Sequence, residues 1–417
     1  MIRRPLTVSI VGLLALAAFL IAGWTESGRA QLASGSGASD GRIVFGGQAP
    51  DPGVYDDRIV FGQSAALEGP AAELGLEIRE GIVAAFDEVN AAGGVHGRRL
   101  ELISYDDGYE PETAIANTMQ LIDEDQVFAL IGAVGTPTSM ATAPIAAEAG
   151  VPFIGPLTGA EFLRDATLDG VVNVRASYFQ EAEQIVDWLV TDRDIRDIAV
   201  LYQDDSFGRA GLAGVRQALE RRGLSTVSEG AYPRNTTAVR RALLAIRAGA
   251  PEAIIIAGAY QPTAAFIQWA RLLDLDSIFV SLSFVGSQAL AEALGPLPEG
   301  VEPDTYISQV VPPPDGDDVP ILDRYRSAML ASNGQDEPSF VSLEGYIAGR
   351  LVTTVLESLD DAPTRDEFLT ALSERGQFDI DGFTFDFSAT DNQGSDSVFL
   401  TIIDDTGQVV SLDRAAP

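Results

Sequence analysis

"ALIGAVGTPTSMATAPIAAEAGVPFIGPLTGAEFL", residues 129–163, carries the reading of the fold. Two apolar runs, 129–134 and 151–154, each break into Gly, Pro and Thr where a helix should begin. Short apolar runs separated by a helix-length stretch read as buried parallel strands joined by a crossover helix. In an open parallel sheet the ligand crevice lies beyond the carboxyl ends of the strands, and there "GTPTS" (135–139) and "PLTGA" (156–160) fall. Each turn offers free backbone N–H groups at a helix start, together with the hydroxyls of Thr136, Thr138, Ser139 and Thr158, a cradle suited to a carboxylate or another anion. For Thr138 and Ser139 the competing reading is a cap on their own helix. Thr136, one step earlier, is the stronger binding candidate.

The same alternation extends in both directions. Strand 58–64 leads into helix 71–91, where Leu74, Ile78, Ile82, Phe86 and Val89 share one face and "AAGG" ends the helix. Strand 99–105, helix 112–124, strand 127–133, helix 138–149 and strand 151–154 follow. After "VNVRAS" (172–177) a second series runs through helix 179–191, strand 197–203, helix 208–222, strand 225–231, helix 237–248, strand 252–257, helix 262–273 and strand 277–281. The prolines of "VVPPPDGDD" (310–318) interrupt it. Helices 320–332 and 340–358 and strand-like pieces at 383–388, 397–404 and 408–412 complete the chain. Strands alternating with helices predict parallel, doubly wound sheets. Two such sets in 417 residues predict two similar lobes, the late elements crossing back to the first.

Composition narrows the function. Residues 1–30 place Arg3 and Arg4 before an apolar run ending in "SGRA", the pattern of an export signal. The run is also long enough to serve as an uncleaved anchor, so a periplasmic or extracellular protein, released or tethered, is expected. Residues 31–56 read as a flexible linker, Gly/Ser-rich at 31–41, and within it "RIVFG" at 42–46 is echoed at 58–62. The second copy is assigned to the first core strand, and the first is left unplaced. Cysteine is absent, which excludes disulfides and thiol catalysis. The net charge is −34, and all 27 basic residues are Arg. Nucleic acid and anionic membranes are excluded as partners by such a charge, and the acidic surface suits high salt, where self-repulsion is screened. His96, the only histidine, reads as a surface turn residue. Asp106, Asp107 and Glu110 in "YDDGYEP" lack the spacing of a calcium loop. No metal site and no cofactor are expected.

"REGIVAAFDEVNAAGGVHGRRLELISYDDGYEPETAIANTMQLI" (79–122), with "FALIGAVGTPTS" (128–139) and "GVPFIGPLTGAEFLR" (150–164), resembles the leucine/isoleucine/valine-binding protein family, the type I periplasmic substrate-binding proteins of ABC transporters. The resemblance covers roughly residues 57–412. It implies a type I periplasmic-binding-protein fold: two doubly wound parallel-sheet lobes joined by a three-crossover hinge, closing on a small solute. The crossovers are expected near Ala176, Val311 and Val398, with the first lobe at 57–176 plus 312–397 and the second at 177–311 plus 398–412. Carried over residue by residue, the resemblance implies that Thr136 holds a ligand carboxylate and that Leu157, Thr158 and Gly159 line the second turn. It further implies that Phe207 and Tyr260 are second-lobe aromatics, and that Leu74 and Phe340 are apolar contacts from the first lobe. For Leu74 and Phe340 plain core packing is the competing reading. Ser283 falls where the amino-acid binders of the family place an acid to pair with the ligand ammonium. Glu161, Asp204 and Asp205 are the alternative sources of a carboxylate.

The expected function is therefore an exported, monomeric receptor that passes a small organic ligand, carboxylate-bearing and amino-acid-like or a related acid or amide, to an ABC permease. No catalysis is expected. A sensor subunit feeding a signalling receptor keeps the same fold with a different partner, and a hydrolase using cleft carboxylates is the reading from another class.

Overall fold

Strand β1 (Arg58–Ala65) is buried along nearly its whole length, as required of a central strand covered by helices on both faces. The computed structural model describes residues 51–412, apart from residues 166, 299, 335 and 336. The candidate export signal and the first "RIVFG" copy lie outside the described residues. From β1 the chain runs through α1 (Ala72–Ala91), β2 (Arg99–Asp106), α2 (Pro111–Asp123), β3 (Ala129–Ile131), α3 (Thr136–Glu148), β4 (Phe153–Ile154) and β5 (Val171–Val172). These strands form one parallel sheet in the order β2-β1-β3-β4-β5.

A second set follows: α4 (Tyr178–Asp187), β6 (Ile198–Gln203), α5 (Ser206–Glu220), β7 (Ser228–Tyr232), α6 (Arg240–Arg247), β8 (Ala253–Ala257), α7 (Tyr260–Leu272), β9 (Ile278–Ser281), α8 (Ser287–Leu294) and β10 (Thr305–Gln309). The chain then returns through α9 (Pro320–Asn333), α10 (Phe340–Glu357), α11 (Arg365–Arg375) and the hairpin β11 (Gln377–Ile380) and β12 (Phe383–Asp386), and ends in β13 (Phe399–Ile403) and β14 (Val409–Ser411). The second sheet has the order β14-β13-β10-β9-β8-β6-β7. Its strands β6 to β10 are parallel, and β13 and β14 add to its edge in antiparallel register. A short connection such as 404–408 can join only antiparallel strands. The late helices α9 and α10 pack on α1. No helix among the described residues is long and apolar enough to cross a membrane.

Three boundaries differ from the sequence expectation in ways that matter for the site. Helix α3 starts at Thr136 because Gly135 turns the chain with φ 91°, so Thr138 falls inside the first turn. Asp205 caps α5, accepting the N–H groups of Phe207 and Gly208, so that helix starts two residues before the expected 208. Residues 51–56, grouped by sequence with the flexible linker, instead form a turn against the core. There Val54 is buried, Tyr55 N donates to Arg58 O at 2.8 Å, and the Asp51 carboxylate accepts from Arg365 N at 2.7 Å.

The apolar face read for α1 is the one that is buried, and it packs on α10, which is buried almost all round. The two backbones approach through glycine: a Cβ at Gly81 would lie 1.9 Å from Ser342 O, and one at Gly345 would lie 2.3 Å from Ile78 O. Gly81→Ala is therefore expected to destabilise the protein. Overpacking costs about 1–3 kcal/mol and outweighs the roughly 1 kcal/mol that alanine gains over glycine inside a helix. Urea unfolding with an unchanged or raised midpoint would contradict this packing.

Candidate functional site

The turns after β3 and β4 are zipped to each other. Gly135 N donates to Leu157 O at 3.2 Å and Leu157 N to Ala133 O at 2.8 Å. This holds the Thr136 and Thr158 hydroxyls 2.7 Å apart, both residues fully buried. Thr138 and Ser139 do not cap the helix. The Thr138 hydroxyl donates back to the carbonyls of Val134 and Gly135, and the buried Ser139 hydroxyl has no hydrogen-bond partner. Leu157 is buried in the core. Gly159 lets the start of α4 come close: Tyr178 N donates to Gly159 O at 2.7 Å, and a Cβ at Gly159 would lie 2.7 Å from that nitrogen.

Tyr178 therefore stands beside the threonine pair, fully buried. Burial pushes its pKa up to about 12, against the opposing effects of the Arg175 charge and the Thr158 and Thr136 hydroxyls. Its ring begins an aromatic chain: Tyr178 to Phe207 at 5.3 Å between centroids, Phe207 to Phe284 at 4.6 Å, and Phe284 to Tyr109 at 5.9 Å. Leu74 reaches the same region from α1, its Cδ2 lying 2.8 Å from where a Cβ on Gly286 would stand.

Tyr260 and Phe340 are not brought to the threonines. Because α7 begins at Tyr260 instead of the expected 262, this side chain packs among Ala264, Val285, Ala289 and Leu290. Phe340 opens α10 and lines, half-buried, a separate groove of about 560 Å³ with Glu73, Glu77 and Gln288.

Ser283 has a different use from the one its position suggested. Its N–H and hydroxyl both donate to Glu181, at 2.8 and 2.9 Å. Ser308 donates to the same carboxylate at 2.5 Å. Arg175, the arginine of "VNVRAS", donates from Nη2 to Ser283 Oγ and to Glu181 Oε1, and its Nη1 lies 3.6 Å from Glu344 Oε2. All four residues are buried. The carboxylate beside Ser283 is thus Glu181 of α4, 102 residues upstream. Glu161 and Asp204 are exposed, Asp204 pairing with Arg209 at 2.7 Å, and Asp205 is spent as a helix cap. Burial raises the Glu344 pKa from 4.5 to about 7, Arg175 opposing and Glu181 adding to the rise. Burial works against the charge of Arg175, but Glu344 and Glu181 outweigh it and hold its pKa above the usual value.

"YDDGYEP" serves as a cross-link. Arg234, in the loop after β7, pairs with Glu110 at 2.6 Å, and Asn235 donates to Glu110 at 2.8 Å and to Gly108 O at 3.2 Å. Asp107 accepts from Ser64 Oγ and Tyr109 N. No group of His, Cys, Asp or Glu among the described residues is placed to hold a metal.

The periplasmic binding protein family model matches residues 58–408. A possible leucine/isoleucine/valine-binding protein from Rhodopirellula baltica has a solved structure that is 37% identical, with a TM-score of 0.80, covering 87% of this chain and 98% of that one. A substrate-binding periplasmic protein from Ralstonia solanacearum is 28% identical with a TM-score of 0.76, covering 84% and 99%. Leu/Ile/Val-binding protein homolog 7 of Brucella abortus is 25% identical over 338 residues, 77% of this chain and 83% of that protein.

Buried carboxylates with raised pKa values set the pH response of stability. Glu344 and Glu77 are lifted from 4.5 to about 7 and Asp107 from 3.8 to about 6, in each case chiefly by burial. Between the unfolded and folded values the folded state holds protons that the unfolded chain has released, so stability falls as pH rises through that window. The melting temperature is expected to rise as pH is lowered from above 7 toward 4.5. Each carboxylate contributes at most about 1.4 kcal/mol per pH unit, and Glu344→Gln is expected to flatten the profile. Thermal unfolding across that range with the opposite slope would refute the assignment.

Proposed function

This chain belongs to the periplasmic binding protein family, of the leucine/isoleucine/valine-binding type, and we propose that it is an exported receptor that captures a small carboxylate-bearing ligand between two lobes and delivers it to an ABC permease. The observation that carries this reading is the pair of buried hydroxyls, Thr136 and Thr158, 2.7 Å apart at the start of α3. A carboxylate set there meets hydroxyl donors and the positive end of a helix dipole. Leu157, Gly159 and Leu74 complete the first-lobe wall, and Tyr178, Phe207 and the loop at Ser283 close it from the second.

The lobes are proposed at 57–176 with 312–397 and at 177–311 with 398–412. Contacts from both halves favour the closed state, so a ligand acts by population shift. The Glu110–Arg234–Asn235 link at the rim acts as a latch on that state. Nothing in this mechanism transforms the ligand. The export-signal pattern of residues 1–30 supports a receptor outside the cytoplasm, where a permease would meet it.

Thr136→Ala is expected to weaken binding of a carboxylate ligand by roughly tenfold, the scale of about 1.4 kcal/mol for a lost charge-assisted hydrogen bond. Arg234→Ala is expected to weaken every ligand by a similar factor, because it taxes closure and leaves the contacts intact. A thermal-shift screen against carboxylates, amides and amino acids identifies the ligand, since a ligand at about 100 times its Kd adds roughly 2.7 kcal/mol. Binding that is indifferent to Thr136→Ala would remove the clamp. Conversion of the bound ligand over hours would make the protein an enzyme.

A further inference from the structure

Two carboxylates compete for one buried guanidinium where the chain first crosses between the proposed lobes. Arg175 stands one residue before the expected crossover at Ala176. Glu344 reaches it from α10 on the first-lobe side, and Glu181 and Ser283 reach it from α4 and the loop after β9 on the second. All four residues are buried. Glu181 accepts from Ser283 N and Oγ, Ser308 Oγ and Arg175 Nη2, about the full complement of a carboxylate. Glu344 receives far less. Its Oε1 accepts no hydrogen bond, Arg175 Nε and Nη1 donate none, and Nη1 stays 3.6 Å from Oε2.

A carboxylate at this depth keeps its charge only where hydrogen bonds or a counter-charge replace its water. The charges that reach Glu344 are those of Arg175 and Arg164, which favour ionisation, and of Glu181, which opposes it. Arg164 acts most weakly, its guanidinium engaged by the carbonyls of Ala160 and Arg175 and by Gln393. On α1, Ile78 packs on Gly345, and Glu77 is turned to Ser339 Oγ, 2.7 Å away. Burial therefore prevails and raises the Glu344 pKa to about 7. Parting the lobes would carry Glu181, Ser283 and Ser308 away together. Arg175, on the first-lobe side of the crossover, would then pair with Glu344 alone, and the carboxyl would return toward its ionised form.

We infer that Glu344 couples lobe closure to proton uptake: it takes a proton as the lobes meet around Arg175 and gives it up as they part, so that acid favours the ligand-holding state. This inference rests on the two-lobe capture proposed above and adds a proton to it. Where Glu344 is protonated with the lobes together and ionised with them apart, closure gains with falling pH; above about pH 7 it is ionised in both and the gain levels off.

Single-molecule fluorescence transfer tests the coupling. The chain holds no cysteine, so Met119→Cys on α2 and Leu244→Cys on α6, both exposed positions, place one label on each proposed lobe. These helices follow the two ends of the Glu110–Arg234 contact, so parting the lobes lengthens the label separation. The shorter separation is expected to gain roughly tenfold over the longer between about pH 8 and pH 6, in Glu77→Gln as in the unsubstituted protein, and to lose that response in Glu344→Gln. A ratio that ignores pH or moves the opposite way, or a response that Glu344→Gln keeps in full or Glu77→Gln abolishes, overturns the inference and leaves two-lobe capture standing. A single separation at every pH overturns two-lobe closure and this inference together.

Discussion

The charge of Arg175 is the constraint on which the rest of the structure depends. A guanidinium 1% exposed is tolerable only if counter-charges reach it, because an unpaired buried charge costs several kcal/mol. Its partners come from three places far apart in sequence: Glu181 on α4, the Ser283 loop after β9, and Glu344 on α10. The residue therefore joins the end of the first sheet, the second sheet and the returning helices in one cluster. Arg164 adds to it, donating to the Arg175 carbonyl at 2.9 Å and to Gln393 on the returning chain. Burial and the nearby charge of Arg175 together lower the Arg164 pKa to about 10.

Everything that faces the threonine pair is placed by this cluster. Tyr178 lies three residues from Arg175 and three from Glu181, so fixing both fixes the start of α4 and sets the tyrosine against Gly159. The capping box of Ser177 and Gln180 holds the same turn. Phe284, next to Ser283, is carried with the serine and meets Tyr109 and Phe207. At the rim Glu110 and Arg234 close the other end of that aromatic row.

The alternation of strands and helices was legible because each element is long enough to show its period or is bounded by glycine and proline. The position of Thr136 and Thr158 in the turns after β3 and β4 was legible too, since strand-end turns in a parallel sheet announce themselves locally. Short pieces were not: β10, α8, α11 and β11 escaped the reading, because four to eleven residues such as "TYISQ" carry no resolvable period. Contacts with distant partners were not legible. Ser283 stands in the sequence without an acid, yet the fold brings the Glu181 carboxylate of α4 beside it. The packing of Tyr260 against Val285 and Leu290, and the place of Phe340 in a groove beside Glu73 and Glu77, likewise depend on elements far apart in the chain.

What the sequence by itself determined is the local layer: the two series of strands and helices, the buried face of α1, the hydroxyl-bearing turns, and the absence of cysteine and of a metal-ligand pattern. These follow from chain stereochemistry and hydrophobic periodicity, which need only near neighbours. The tertiary structure alone decided which charges meet, which hydroxyls pair, and which aromatic rings pack together. Those outcomes depend on contacts between residues such as Ser283 and Glu181, 102 positions apart. Electrostatics and packing at that separation are set by the fold as a whole.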